Sequence, residues 1–205
     1  MKLFLASLAA ETLDLIKPLL PSPQGQTLRV AFVTTAADPY LIHPWLDCDR
    51  QKLGTMGFHV DNYDIKGKTP ANLRTDLASY QLIFVCGGNT FYLLDHVRKS
   101  GFDTVIKELL NKGVIYVGSS AGSCIMCPTI EHVQLFDDKD AAPDLKDYTG
   151  IGIYNKLILP HFGRSKYADR QNDVMAIAKF KDQILPLRDD QAVMLNGNSI
   201  KIVEK

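Results

Sequence analysis

The chain has 205 residues, 46% hydrophobic and 22% charged, a balance close to that of ordinary globular proteins and sufficient for a sizeable core. Lysine plus arginine equals aspartate plus glutamate at 23 each, so no net charge draws the protein to nucleic acid or to an acidic membrane surface. No apolar stretch approaches the roughly 18 residues of a membrane span.

Lys2 to Ser7 reads as a first strand. The same opening, Lys2 followed by an apolar run and small residues, also fits a short signal peptide, but the repeating pattern that follows needs a strand here. Glu11 to Leu20 has helical spacing, with Leu13, Ile16 and Leu20 on one face, and Pro21, Pro23 and Gly25 break it. Leu28–Thr34 is a strand. Tyr40–Met56 is helical with Pro44 in its first turn or splitting it, and Gly57 caps it before a strand over Phe58–Tyr63. A short helix starts at Pro70 behind Thr69 as N-cap. The buried strand Leu82–Cys86 leads through Gly-Gly-Asn-Thr into a helix over Phe91–Lys99, and a second helix covers Asp103–Lys112. Gly113 then introduces the buried strand Val114–Gly118.

Beyond Cys127 the rhythm changes. Thr129–Phe136 is a candidate strand, and Asp137–Asp147 an acidic, solvated loop. "KLILPHF" holds one more buried strand, Asp169–Lys181 is helical, and Ile184–Lys205 reads as short strands around an Asn196-Gly197 hairpin turn. Apolar strands alternating with helices predict an α/β three-layer sandwich with a mainly parallel sheet. Without repeats or linkers, residues 1–205 are expected to form one catalytic domain.

Gly118-Ser119-Ser120-Ala121-Gly122 matches G-x-S-x-G between a buried strand and an apolar segment, the context of a nucleophile elbow. Ser120 is the candidate nucleophile; the competing reading is a strand-to-helix turn with a spare serine. A serine hydroxyl needs a base. Of the histidines, His161 follows "KLILP" where a buried strand ends, and strand ends carry the ligand crevice of open α/β sheets. Asp189 and Asp190 also follow a strand, whereas Asp137, Asp138, Asp140, Asp144 and Asp147 precede His161; spacing does not choose among them. The Ala121 amide supplies one oxyanion donor and the loop around Gly88 a second, with Asn89 or Thr90 capping the helix behind it.

Cys48, Cys86, Cys124 and Cys127 lack the spacing of a disulfide-dense secreted domain, which points to a reducing cytoplasm. Cys124-x-x-Cys127 fits a redox or metal pair, but no second pair completes a zinc site, so both read as structural thiols. A redox centre at this pair is the rival. The expectation is no metal and no organic cofactor.

"VCGGNTFYLL", "YVGSSAGSCIMCPTI" and "LILPHF", in that order, resemble segments of the dipeptidase E family of serine peptidases, which includes the α-aspartyl dipeptidases and cyanophycinases. The resemblance implies a fold like class I glutamine amidotransferases, with serine in place of their cysteine. It implies Ser120 as nucleophile, His161 as base and the Gly88 and Ala121 amides as oxyanion donors. The family acid is a glutamate in Leu-Pro-Glu-Gly; "LRDD" aligns there and puts the shorter Asp189 in its place, with Asp190 in reserve. The order serine, histidine, acid also differs from that of α/β-hydrolases. Where the family has Thr-Arg-Glu-x-Arg, this chain has "GRSKYADRQND"; Arg164, Lys166 and Arg170 are candidates to face a substrate carboxylate or are solvated charges. Asn89, Arg164 and Arg170 complete the expected substrate contacts. The implied activity is hydrolysis of short peptides, with N-terminal aspartate as one preference, by a cytoplasmic monomer or homodimer. An amidase or esterase with the same triad, or a non-catalytic binding homologue, is the alternative.

Overall fold

The apolar strands read from the sequence assemble into one seven-stranded sheet. The computed structural model describes residues 1–21, 27–180 and 182–205; the expected breakers Pro23 and Gly25, and the end of the last predicted helix at Lys181, lie outside them. Strands β1 (Lys2–Ala6), β2 (Arg29–Val33), β3 (His59–Tyr63), β4 (Leu82–Val85) and β5 (Ile115–Ser119) run parallel. Strands β8 (Gln191–Asn196) and β9 (Ser199–Glu204) join antiparallel, giving the order β3-β2-β4-β5-β1-β8-β9. Lys2–Ala6 is thus an interior strand, with Phe4 level with Val117 on one side and Met194 on the other. β6 (Leu157–Leu159) and β7 (Ile184–Pro186) form a separate parallel pair.

Helices flank the sheet to give the expected three-layer α/β sandwich. They are α1 (Ala9–Thr12), α2 (Pro44–Thr55), α3 (Pro70–Asp76), α4 (Thr90–Ser100), α5 (Phe102–Asn111), α6 (Ala121–Cys124) and α7 (Ala168–Ala176). Pro44 occupies the first turn of α2, where its missing N–H has no helical partner to lose. Thr69 and Asn72 form a reciprocal capping box on α3. The β strands and these helices enclose one hydrophobic cluster that runs from Leu3 to Leu195. None of the helices among the described residues is long and apolar enough to cross a membrane.

Four expectations need correction. The predicted helix over Glu11–Leu20 is the short α1 followed by a 3₁₀ segment, Leu13–Leu19. Pro18 denies that segment one amide, and Leu13, Ile16 and Leu19 fall on its three-residue period, so Leu19 rather than Leu20 is fully buried. Thr129–Phe136 is no strand: Thr129 makes a single bridge to Thr149, and Glu131–Val133 is a 3₁₀ turn. The C-terminal hairpin turns one position later than read, because Asn196 pairs with Ser199 and leaves Gly197-Asn198 as the loop. The last predicted helix, read as Asp169–Lys181, is the shorter α7, which ends at Ala176 ahead of a 3₁₀ turn over Ala178–Phe180.

Candidate active site

β5 delivers the chain to the elbow. Ser120 has φ 49° and ψ −106°, a strained conformation for a residue with a side chain, which costs about 1–3 kcal/mol unless its surroundings enforce it. They do: the Ser120 N–H donates to Ala6 O at 3.0 Å, and its carbonyl accepts from Ser123 N at 2.8 Å and Cys124 N at 3.0 Å. Gly122 must be glycine because a Cβ there would lie 2.1 Å from Val85 O. The neighbouring serines are spent on structure. Ser119 Oγ accepts from Ala9 N at 3.1 Å, and Ser123 Oγ donates to Ala6 O at 2.8 Å. Ser120 alone of the three directs its hydroxyl to a side chain: Oγ lies 3.1 Å from His161 Nε2.

His161 follows β6 and also has positive φ, 59°. Its N–H donates to Ser7 Oγ at 2.7 Å and its carbonyl accepts from Gln171 Nε2 at 2.6 Å, which hold the residue in that conformation. His161 Nδ1 is 2.6 Å from Asp189 Oδ1. Burial raises the Asp189 pKa, but hydrogen bonds and charge from His161, the Ser7 hydroxyl and the Arg164 guanidinium outweigh it and hold the carboxyl below its ordinary value. An ionised carboxylate only accepts, so Nδ1 carries the proton and the Nε2 lone pair faces the serine. Asp190 turns away to Arg188 at 3.1 Å.

The acid is unusually well held. Ser7, at the end of β1 and fully buried, accepts from the histidine backbone and donates its own proton to Asp189 Oδ1 at 3.0 Å. Arg164 Nε pairs with Asp189 Oδ2. The aspartate is shorter than a glutamate, yet reaches His161 directly.

The other strand-end loop, after β4, lies alongside. Gly88 has φ 150°, and a Cβ there would meet Ala36 O at 2.0 Å. Among the described residues neither the Gly88 nor the Ala121 amide has a hydrogen-bond acceptor. Trp45 Nε1 donates to Gly87 O at 3.0 Å and braces the loop. Trp45, Gly87 and Gly88 line a cavity of about 460 Å³ with Ser120, His161, Tyr40, Tyr167 and Asp137.

The remaining predicted contacts divide. Arg170 and Lys166 line the cavity. Arg164 lines it too, but its guanidinium is engaged by Asp189. Asn89 is buried and does not line the cavity: its side chain accepts from Tyr92 N at 2.9 Å as the N-cap of α4 and donates to Asp138 O at 2.7 Å. Sequence reasoning missed Ser7, which carried no local signal, and misplaced Asp137, read as part of a solvated loop. Asp137 is half-buried in the cavity, and desolvation raises its pKa against the opposing Thr90 side chain, Thr90 amide and His161. The thiols of Cys124 and Cys127 are unpaired and buried, and burial pushes Cys127 up to about 12 and raises Cys124 well above its ordinary value, which keeps both protonated and unreactive. Among the described residues no cluster of three or more histidine, cysteine or acidic side chains is placed to hold a metal.

A model of peptidase family S51 matches residues 3–203. The chain belongs to that family. As an S51 member it is a serine-type peptidase. An uncharacterized peptidase of Pasteurella multocida is 29% identical over 202 residues, 98% of this chain and 96% of its own length. Peptidase E of Escherichia coli O1:K1 is 33% identical over 82 residues, 40% of this chain and 34% of its own. In structure, this S51 chain superposes on a Listeria monocytogenes EGD-e protein, solved at 1.5 Å under a provisional peptidase E name, with a TM-score of 0.90 and 26% identity, covering 100% of this chain and 98% of the other.

Proposed function

We propose that the protein hydrolyses short peptides through Ser120, His161 and Asp189, by way of an acyl-enzyme. The alignment of Ser120 Oγ, His161 and Asp189 at 3.1 and 2.6 Å, beside two unoccupied amides, carries this reading. Ser120 Oγ attacks the peptide carbonyl while its proton passes to His161 Nε2. The Gly88 and Ala121 amides receive the oxyanion, each contributing roughly 2.7–4 kcal/mol to lowering the barrier. Collapse breaks the C–N bond, and the imidazolium returns the proton to the leaving amine. Water, deprotonated by the same nitrogen, then cleaves the ester and restores the serine. Asp189 keeps the tautomer and stabilises the imidazolium.

The cavity of about 460 Å³, walled by Tyr40, Trp45 and Tyr167, suits a ligand of dipeptide size. Lys166 and Arg170 at its rim suit the carboxylate of a short peptide or of an aspartyl side chain. A fluorophosphonate probe is expected to label Ser120, and Ser120→Ala to lower turnover by roughly 10⁴–10⁶ with the fold retained. A Ser120→Ala protein that turns over like its parent removes the residue from the mechanism. Rates for Asp-X, Ala-X and Gly-X dipeptides against simple esters and amides then set the specificity.

A further inference from the structure

Cys124, Cys127 and His132 have no part in the chemistry above, yet their side chains converge on one peptide. It belongs to Ile158, the middle residue of β6. Leu157 N–H donates to Gln183 O at 2.9 Å and Leu159 O accepts from Leu187 N at 2.9 Å, so both flanking residues face β7. Ile158 presents its N–H and C=O to the opposite edge, where no third strand lies among the described residues. Side chains take that strand's place. Cys127 Sγ accepts the Ile158 N–H at 3.3 Å, His132 Nε2 lies 2.8 Å from Ile158 O, and the Cys124 thiol donates to the same oxygen at 3.5 Å. A carbonyl only accepts, so Nε2 carries the hydrogen of His132. Burial lowers the His132 pKa to about 4 against the pull of the Ile158 and Thr129 backbone, so the ring is neutral. All four residues are buried, where a peptide is costly to leave unpaired.

These contacts tie the base to the nucleophile. Ile158 stands three residues before His161, with Pro160, whose ring fixes φ, in between. At the other end, Cys124 N–H donates to the Ser120 carbonyl at 3.0 Å, and the Cys127 thiol is 3.8 Å from Ser123 O. A closed circuit therefore runs from Ser120 through Cys124 to Ile158, along the chain to His161, and back to Ser120 Oγ at 3.1 Å. Asp189 turns the imidazole; the cradle around Ile158 sets where the residue bearing it stands.

We propose that Cys124, Cys127 and His132 are positioning residues that hold β6 against the elbow and so set the distance from His161 Nε2 to Ser120 Oγ. This rests on the peptidase reading above, in which those two atoms are base and nucleophile. No bond is made or broken at either sulfur. Cys124 also lines the cavity, whereas Cys127 and His132 do not, so substitutions at the latter two leave the cavity wall intact.

The test follows labelling of Ser120 by a simple fluorophosphonate in the full chain, as the saturating rate kinact and the half-saturating concentration KI, with folding checked by near-UV circular dichroism. Cys127→Ala removes the acceptor of the Ile158 N–H. Cys127→Val also removes it but refills the volume, and Cys127→Ser keeps both an acceptor and a donor for Ser123 O. In the alanine and valine variants kinact should fall roughly 10- to 100-fold, the usual cost of displacing a catalytic group by up to about 1 Å, with KI within about 3-fold of the parent. Cys127→Ser should recover most of the rate. Folded alanine and valine variants that label at the parental rate overturn the proposal, because the base then needs no cradle. So does a valine variant that recovers as fully as the serine one, because volume alone then suffices. Where those variants fail to fold, His132→Leu against His132→Gln, which keeps an N–H donor for Ile158 O, repeats the comparison, and equal parental rates in the two overturn it likewise. Failure of the unmutated protein to label at Ser120 sinks the peptidase reading and the cradle's role with it, whereas labelling that ignores the substitutions sinks only the cradle.

Discussion

Asp49 offers the most quantitative check on the packing beneath the site. It lies on α2, is fully buried, and has no hydrogen-bond partner for either carboxylate oxygen among the described residues. Burial pushes its pKa from 3.8 to about 7, opposed only weakly by the Ala10 amide, which lies nearby without forming a well-aligned hydrogen bond. An unfolded chain releases this proton near pH 3.8, and the folded protein retains it to about pH 7. Over that window the folded state binds more protons, so the Asp49 contribution to stability falls as pH rises and levels off above about pH 7. At about 1.4 kcal/mol per pH unit the full loss is about 4 kcal/mol. Asp49→Asn stays neutral throughout. Urea unfolding of both proteins should show the stability of Asp49→Asn, relative to the parent, rising by about 3 kcal/mol between about pH 5 and about pH 8. The comparison cancels every other titrating group. A difference that stays constant across that range would show that Asp49 is hydrated or paired, and the reasoning from burial would be wrong.

Two further substitutions probe the catalytic geometry. Ser7→Ala removes a donor from Asp189 and the acceptor of the His161 N–H, so kcat should fall roughly 10- to 100-fold at similar KM. Because the lost donor had helped hold the Asp189 pKa down, the acid limb of the pH–rate profile should also move to higher pH; Ser7→Thr, which keeps the hydroxyl, should recover much of the rate. An unchanged pH profile in Ser7→Ala would reduce Ser7 to packing. Gly88→Ala drives a Cβ into Ala36 O and displaces the loop amide, and kcat should drop roughly 10²–10³-fold; a rate within about 3-fold of the parent would take the Gly88 amide out of the oxyanion site.

The parts of the site that were legible in the sequence are those announced by their own neighbours. A buried strand running into Gly-Ser-Ser-Ala-Gly marks Ser120, because few other reasons lead a chain to leave a sheet through such small residues. His161 was legible as the first polar residue after "LILP". The acid was not fixed by spacing, since Asp189 reaches His161 through the antiparallel pairing of β8 with β1, a long-range choice no local pattern encodes. The roles of charged side chains were least legible. Arg164 was read toward substrate, but the fold sets Asp189 beside it. Asn89 spends its amide on the helix end and on Asp138 O. Asp137 looked like one of several solvated aspartates until Thr90 was seen to draw it into the cavity. Strand boundaries erred where one class of turn replaced another, as at Pro18 and at Gly197-Asn198.

The hydrogen bond from Ser7 to Asp189 joins residues 182 positions apart. During synthesis the ribosome releases the elbow long before it releases the acid, and β1 lacks its β8 neighbour until nearly the whole chain has emerged. A growing polypeptide therefore carries a hydroxyl and an imidazole with nothing to fix the ring's orientation. In the triad proposed above, the serine and imidazole would gain their acid only as the last hairpin docks, so an unfinished copy would hold two of the three side chains without the third.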